Sequence, residues 1–552
     1  MLEDGRNFQI LEDLHDETKA QSLFQIFGFA DWKTARAILL RMKSRDQQGL
    51  AAMFSFFMAT LGSSADPDRS LVNFERFTES YGQELFIELE KNPRVIEILI
   101  TLFSASPFLT EILLRTPDAL ELLKNRQVLI ERKTIEQFQN QAISTARSVE
   151  TEDEKLDALR RYQRRQLLRI GTSDFLGLYD LRAVFSQLSR LAIGLVRACL
   201  VLAAQQTGIA PGGFVVLAMG KLGGWELNYS SDIDLLFVAK KNADTYLNLA
   251  EQLIKNIASI TSEGFLYRVD LRLRPWGNDG PLITTLDVYL QYIHKYARLW
   301  EKQAFLKARP IAGNLSFGEK LRKAIEPFLF RTSADEVRAS IFGMKQRTEE
   351  FLREKGRSWG EVKLGEGSIR DIEFVVQFLQ MTHPSVRTRA TLKAIPRLRE
   401  IGLLASTESH ILMDGYNFLR TIEQYLQIID YRQTYTLPSD STSLALLARR
   451  LGFEGPCAGE QFVERYEQHC RAIRSIFLKY VGNESVNEIA DLSHSSPQII
   501  QHIARMDASY TATFSPGEIK RHAQLINKIA GESIVIVDAK PLDDSRWRVT
   551  VV

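Results

Sequence analysis

Residues 219–238, MGKLGGWELNYSSDIDLLFV, constrain this chain more than any other stretch. An apolar run, Phe214-Val215-Val216-Leu217, reads as a buried strand. The glycine pair Gly223-Gly224 and a polar loop follow, then a second strand on which Asp232 and Asp234 alternate with Ile233, Leu235 and Phe237. Side chains along a strand alternate faces, so both carboxylates point the same way, about 7 Å apart at their Cα atoms. Carboxylates so placed can share divalent cations, and two cations about 4 Å apart are the usual apparatus for in-line attack on a phosphate. The glycines let backbone N–H groups approach phosphate oxygens closely.

A D-x-D triplet alone is weak, and the chain carries a second copy, Asp66-Pro67-Asp68. Its central proline and Ser-rich neighbours predict a loop without chemistry. A third carboxylate lies in Tyr267-Arg268-Val269-Asp270-Leu271-Arg272-Leu273-Arg274-Pro275, whose alternation predicts a strand with Arg268, Asp270, Arg272 and Arg274 on one face. A half-buried strand with a solvated charged face has the same pattern. Guanidinium forks around an aspartate also suit metal-bound phosphate, and the earlier pair favours that reading.

At 552 residues the chain exceeds a single core, which predicts three or four domains. A net charge of +2 argues against a dedicated nucleic-acid binder. The sequence holds no uninterrupted apolar run near the ~20 residues a membrane helix needs, and the acidic start MLEDGRNFQILEDLHDE is unlike a signal peptide. Three cysteines without CxxC spacing point to a reducing compartment, hence a cytoplasmic chain.

Residues 1–160 read as helices, for example around Leu85–Leu89, Val95–Ile100 and Phe108–Leu114. The charged segment 131–168 is expected to be a solvated helix or helix pair. Strand signals cluster between 205 and 285. The domains expected are 1–160 helical, 161–312 α/β, 313–484 helical bundle and 485–552 a linker helix with an α/β segment. Two later helices carry narrow polar stripes on wide apolar faces: Arg370, Glu373, Gln377 and Gln380, then Arg420, Glu423, Gln427 and Asp430. A narrow stripe predicts burial against protein or a lined cleft as readily as a solvated face.

GKLGGWELNYSSDIDLLF, YRVDLRLRPWGNDGPL, LWEKQAFLKARPIAG, KLGEGSIRDIEFVVQFLQ and YLQIIDYRQTYTLP, in that order, resemble the motifs of the glutamine synthetase adenylyltransferase family, which belongs to the polymerase-β-like nucleotidyltransferases. The resemblance covers about residues 70–480. It implies an α+β, mostly helical protein whose nucleotidyltransferase α/β domain is flanked by helical domains. It also implies two Mg²⁺ ions on the metal triad Asp232, Asp234 and Asp270, with Asp270 as proton acceptor, and ATP, ADP and phosphate as substrates. Gly223, Gly224, Ser231, Lys221, Arg272, Arg274, Glu301, Lys307, Arg309, Arg370, Asp371 and Glu373 are the implied nucleotide-side residues. Lys302, Ser368 and Trp225 depart from the family's motifs, and none of these touches the triad. Members carry two such halves, one attaching AMP to a tyrosine of glutamine synthetase and one removing it by phosphorolysis. This chain resembles a single half, and NYSSDID is more similar to the removing one.

Beyond residue 485 the resemblance changes. Ser515-Pro516-Gly517-Glu518 predicts a capped helix ending near Gly531, followed by strands Ile534–Val537 and Trp547–Val552 around a turn at Pro541–Ser545. This resembles the start of an ACT-type regulatory domain, as in uridylyltransferases of the signal protein PII, and the end inside a strand suggests a piece of a longer enzyme. Uridylylation of PII is therefore one alternative. The His-Asp pair of those enzymes' companion domain has no counterpart beyond His15-Asp16 in the acidic leader. A catalytically silent nucleotide-sensing or docking module is the other. Glutamine synthetase, with PII, is the expected partner; neither nucleic acid nor membrane is.

Overall fold

The computed structural model describes residues 2–82, 84–482, 510–514, 536–543 and 546–551. The chain divides into two compact units, Met1–Arg474 and Ser475–Val552. As expected, the architecture is mostly helical α+β.

The large unit begins with helices that include the expected Glu84–Lys91, Arg94–Ala105 and Pro107–Arg115. Helix α1, Pro67–Tyr81, corrects the loop expected at the second D-x-D. Proline is tolerated at a first helical turn, and Asp66 caps the helix by accepting from the Arg69 amide. The segment expected to be solvated is α2, Ile135–Arg147, and most of α3, Glu152–Phe175. Both start with capping boxes, yet α3 is a core helix. Arg160 and Arg169 lie fully buried on it because backbone carbonyls satisfy their guanidiniums: Arg160 donates to Gly264 O at 2.7 Å, Ser259 O at 2.7 Å and Leu156 O at 2.9 Å. Helix α4, Leu181–Thr207, is the one helix among the described residues long and apolar enough to cross a membrane, and most of that apolar stretch is buried inside the protein.

Strand β1, Phe214–Ala218, runs into the short helix α5, Gly220–Gly224, and then strand β2, Ile233–Ala239. Helix α6, Leu247–Ala258, leads to strands β3, Val269–Asp270, and β4, Ile283–Thr285. Helix α7, Leu299–Phe305, precedes β5, Arg309–Gly313. The sheet order is β3-β2-β1-β5, with β4 also on β2. Strands β2 and β5 flank β1 antiparallel, while β3 and β4 pair parallel with successive parts of β2. Phe214, Val216, Leu235 and Phe237 face the core built by the preceding helices. Val215, Leu217, Leu236 and Val238 face Tyr289, Phe305, Leu321 and Ile325. Each large side chain so buried contributes about 1.5–3 kcal/mol of hydrophobic stabilisation.

The strand expected over Tyr267–Pro275 is only two residues long. The Arg272 amide donates to Asp270 Oδ1 at 2.9 Å, a local side-chain bond that turns the chain away from the ladder. Helices α8, Ala334–Glu354, α9, Ile369–Thr382, α10, Thr391–Glu400, and α11, Ser406–Asp430, then build the wall that faces the sheet's open end.

In the second unit, β6, Tyr510–Phe514, β7, Ile536–Asp543, and β8, Arg546–Val551, form an antiparallel sheet in the order β6-β8-β7. The expected strand Trp547–Val552 is present as β8, while of the expected Ile534–Val537 only Ile536 and Val537 lie among the described residues, at the start of β7. Strand β7 continues through Pro541–Asp543, where a turn was expected, and β6 carried no signal that was read. The helix expected at 515–531 lies outside the described residues.

Candidate active site

Parallel pairing of β2 with β3 sets Asp234 directly opposite Asp270. Neighbouring strands lie about 4.8 Å apart, so two carboxylates in register on one face cannot avoid each other. Asp232, just before β2, joins them, and all three line a cavity of about 540 Å³. Burial, then the charges of Asp270 and Asp232, push Asp234 up to about 6. Asp270 is held below the usual carboxylate range by its hydrogen bonds from Arg272. Arg272 Nη2 lies 2.5 Å from Asp270 Oδ2, and Arg268 Nε 2.5 Å from Asp232 Oδ1.

Three hard oxygen donors with mutual repulsion suit a divalent cation. The two guanidiniums currently compete for that role. Among the described residues, no three Asp, Glu, His or Cys side chains close on one point as a ready metal cage. Both competing pairs are accessible, the Arg272 side chain being 74% exposed, so they can exchange partners.

The cavity's second wall is cationic and comes from the helices. Lys221 on α5, Lys363 before α9, and Arg370 on α9 line it with Arg272 and Lys307. Lys221 Nζ is 2.5 Å from Glu423 Oε1, and Arg420 Nε 2.9 Å from Glu423 Oε2. Burial pushes the Glu423 carboxyl up, but Lys221 and Arg420 outweigh it and hold the group down to about 2. Lys307 Nζ meets Glu226 Oε2 at 2.8 Å, Glu373 Oε1 at 3.2 Å and Thr391 Oγ1 at 3.3 Å. Arg420 also donates to Glu226 O and Asn228 Oδ1, each at 2.6 Å. This buried lattice fastens the loop after α5 to α9, α10 and α11.

Of the residues singled out from sequence, the cavity gathers Asp232, Asp234, Asp270, Lys221, Ser231, Arg272, Lys307, Arg370 and Glu373. It does not gather Gly223, Gly224, Arg274, Glu301, Arg309 or Asp371. Asp371 is fully buried with Lys345 at 2.5 Å and Arg474 at 3.3 Å. Glu301 caps the start of α7 at the Arg298 amide and accepts from Tyr292 Oη. Arg274 donates to the Asn278 and Gly280 carbonyls. Gly223 is required by packing, since a Cβ there would collide with the Lys307 carbonyl.

Gly220 was missed. It lines the cavity at φ +51°, and a Cβ there would strike Asp234 Oδ2, so it is the glycine that lets backbone reach the triad. Lys363 and Tyr435 were also missed as individuals, although both lie in quoted motifs; Lys363 Nζ sits 4.0 Å from the Tyr435 ring centre. Of the two polar stripes, Arg370, Glu373 and Gln377 face the cleft. Gln380, Arg420, Glu423 and Gln427 are buried.

Residues 96–324, which carry the triad and the whole sheet, match the model of the glutamate-ammonia ligase adenylyltransferase family. Residues 96–324 thus carry a domain similar to the glutamine synthetase adenylyltransferase family. Residues 335–481, the helical wall, match the GlnD PII-uridylyltransferase model. The chain is 30% identical, over 519 residues and 90% of its length, to a bifunctional glutamine synthetase adenylyltransferase/adenylyl-removing enzyme of Streptomyces avermitilis. It is 30% identical over 528 residues to the enzyme of the same name from Streptomyces coelicolor. It spans about half the length of these relatives, 50% and 51% respectively.

Proposed function

We propose that the chain is a nucleotidyltransferase that removes AMP from, and attaches it to, a tyrosine of glutamine synthetase in the cytoplasm, with phosphorolytic removal dominant. The observation that carries this is the register of β2 and β3, which crowds Asp234 and Asp270 beside Asp232 under a cationic wall. Asp232, Asp234 and Asp270 would hold two Mg²⁺ ions, which when bound neutralise charge on the phosphate oxygens in flight. Arriving phosphate draws Arg272 away from Asp270, since guanidinium pairs with phosphate as readily as with carboxylate. Asp270, freed of the contact that lowers its proton affinity, then accepts the proton of a tyrosine hydroxyl as its oxygen attacks the α-phosphorus of ATP and pyrophosphate leaves. Lys363 and Arg370 orient the remaining phosphate oxygens from the opposite wall.

In the removal direction inorganic phosphate attacks the adenylyl phosphorus, the bond from that phosphorus to the tyrosine oxygen breaks, and the leaving tyrosine oxygen takes a proton from Asp270 as ADP forms. The test is incubation of the chain with adenylylated glutamine synthetase, Mg²⁺ and phosphate, and separately of unmodified glutamine synthetase with labelled ATP. ADP release supports the reading. Efficient labelling with no ADP release reverses the direction, and neither signal overturns the assignment.

The match of residues 335–481 to the PII-uridylyltransferase model favours a second reading, in which the same triad transfers UMP to PII or PII regulates the site. Labelled UTP with PII in place of glutamine synthetase separates the two.

A further inference from the structure

Helix α5 has a cavity at each end. Gly220 and Lys221 line the triad cavity, whereas Gly224, Trp225 and Glu226 line another of about 560 Å³. The two share a wall, because the buried 2.8 Å pair Lys307–Glu226 has its lysine in the first and its glutamate in the second.

The second cavity is strongly cationic. Arg132, Arg182, Arg190, Arg309 and Lys393 line it, and none of them forms an ion pair among the described residues. Its two carboxylates are already engaged: Asp180 caps α4 at the Ala183 amide, 2.7 Å, and Glu226 holds Lys307. Arg190 and Arg309 are half-buried and share the Trp225 ring, so their charges repel one another more strongly than the exposed ones do unless an anion joins them. Burial and then Arg389 press Arg309 down to about 10, a strain that an anion would relieve.

Trp225 is the second observation. It sits at φ +61°, a left-handed conformation rare for a bulky residue, with the Arg309 guanidinium 4.6 Å from its ring centre and Arg190 at 5.3 Å. Its indole Nε1 is buried without a hydrogen-bond partner. A buried donor left open beside a cationic hollow calls for an acceptor oxygen.

We propose that this cavity binds a phosphate-bearing small anion, either inorganic or as the phosphate groups of a nucleotide. Guanidinium forks match phosphate oxygens better than they match a lone carboxylate's single edge, and the volume suits a nucleotide-sized ligand. Arg309 ties the site to α5, since its Nε donates to the Gly223 carbonyl at 2.8 Å.

The test uses the full chain without divalent metal, with pyrophosphate in one calorimetric arm and ADP in the other. Arg132, Arg182 and Lys393 are exposed and their side chains make no hydrogen bonds among the described residues, so the triple variant Arg132→Ala/Arg182→Ala/Lys393→Ala keeps the fold, checked by its melt. Pyrophosphate binding at least tenfold weaker in this variant, and retained in Arg272→Ala/Lys363→Ala, supports the site. If ADP behaves the same way, the ligand is a nucleotide; if only pyrophosphate does, it is an inorganic anion. Wild-type binding in the triple variant, or no binding by either probe at millimolar concentration, overturns the proposal. Trp225→Phe gives an independent reading: the fluorescence change on adding pyrophosphate disappears with it if the site is here, and persists if it is elsewhere.

Discussion

The triad and the lattice beneath it are built from the same residue types and behave oppositely. In the triad, Asp232 is 34% exposed and its partner Arg268 43%, so each can trade the other for water, metal or phosphate. In the lattice, Arg420 and Glu423 are both at 0% exposure, and Lys221 on the cavity side reaches Glu423 from above. Accessible ion pairs hold together weakly, in the range of about 0–1 kcal/mol, which is what a site that must change partners requires. Buried pairs are costly to break because the survivor keeps an uncompensated charge. The chain thus keeps exchangeable charges on the sheet edge and permanent ones behind it.

The sharpest way to break this contrast is to remove a triad carboxylate. Asp232→Asn, Asp234→Asn and Asp270→Asn are each expected to lower activity by more than about 10³-fold, equivalent to over about 4 kcal/mol of transition-state stabilisation. Melting temperatures should stay within a few degrees of wild type, because none of the three anchors the core. A variant that loses activity only in proportion to lost folded protein would move the triad into the structural class.

The opposite experiment removes the lattice's anchor. Arg420→Met leaves the Glu226 carbonyl and Asn228 Oδ1 without this donor and Glu423 with Lys221 alone, and should destabilise the large unit by about 3–5 kcal/mol. Thermal melts over several protein concentrations measure it. A change below about 1 kcal/mol would mean that the lattice, like the triad, tolerates exchange.

How much of this was legible depended on whether a side chain's partners were local. The triad could be read because strand alternation fixes which face Asp234 occupies, and β2 keeps that alternation throughout. The register that sets Asp270 beside Asp234 could not, since pairing joins positions 36 residues apart by sheet geometry alone. The perfect alternation of Tyr267–Arg274 misled because Asp270 bonds the Arg272 amide two residues on, a local competitor that periodicity does not register. Arg160 and Arg169 misled in the other direction. A charged run reads as solvated, and only the folded chain brings the carbonyls of Gly264, Ser259 and Glu131 to meet those guanidiniums. The stripe Arg420, Glu423, Gln427 was legible as a choice between cleft and burial, and distant partners decided it.

Asp174 sharpens the comparison by acting alone. It accepts from Tyr229 Oη at 2.8 Å with no cation paired to it among the described residues, and burial lifts it to about 7. Its folded value lies above the ordinary 3.8, so the neutral acid's contribution is full below about pH 4 and is lost as pH rises through about 7. Asp174→Asn keeps an acceptor for Tyr229 and removes the titration. Relative to wild type, the variant should gain about 4 kcal/mol in stability between pH 4 and pH 8. Parallel pH profiles for the two proteins would place Asp174 among the groups that water still reaches.

The smallest effect is expected at Asp66, and its smallness is informative. Asp66-Pro67-Asp68 has the same D-x-D spacing as the triad pair, but both carboxylates are committed to backbone amides. Asp66 accepts from the Arg69 amide at 3.1 Å and pairs with Arg69 Nη2 at 2.8 Å. Asp68 accepts from the amides of Ala30 and Asp31 at 2.8 and 2.9 Å, tying the start of α1 to an earlier turn. Carboxylates saturated by fixed N–H donors have little capacity left for a cation, whereas the triad's partners are side chains that can leave. Asn is as good a helix cap as Asp, so Asp66→Asn should forfeit only the half-buried pair with Arg69, about 0.5 kcal/mol, with unchanged activity. Steady-state rates and a melt on the purified variant measure both. A loss of activity comparable with that of Asp234→Asn would show that spacing outweighs the donors around the carboxylates, and the distinction between committed and exchangeable acids would fail.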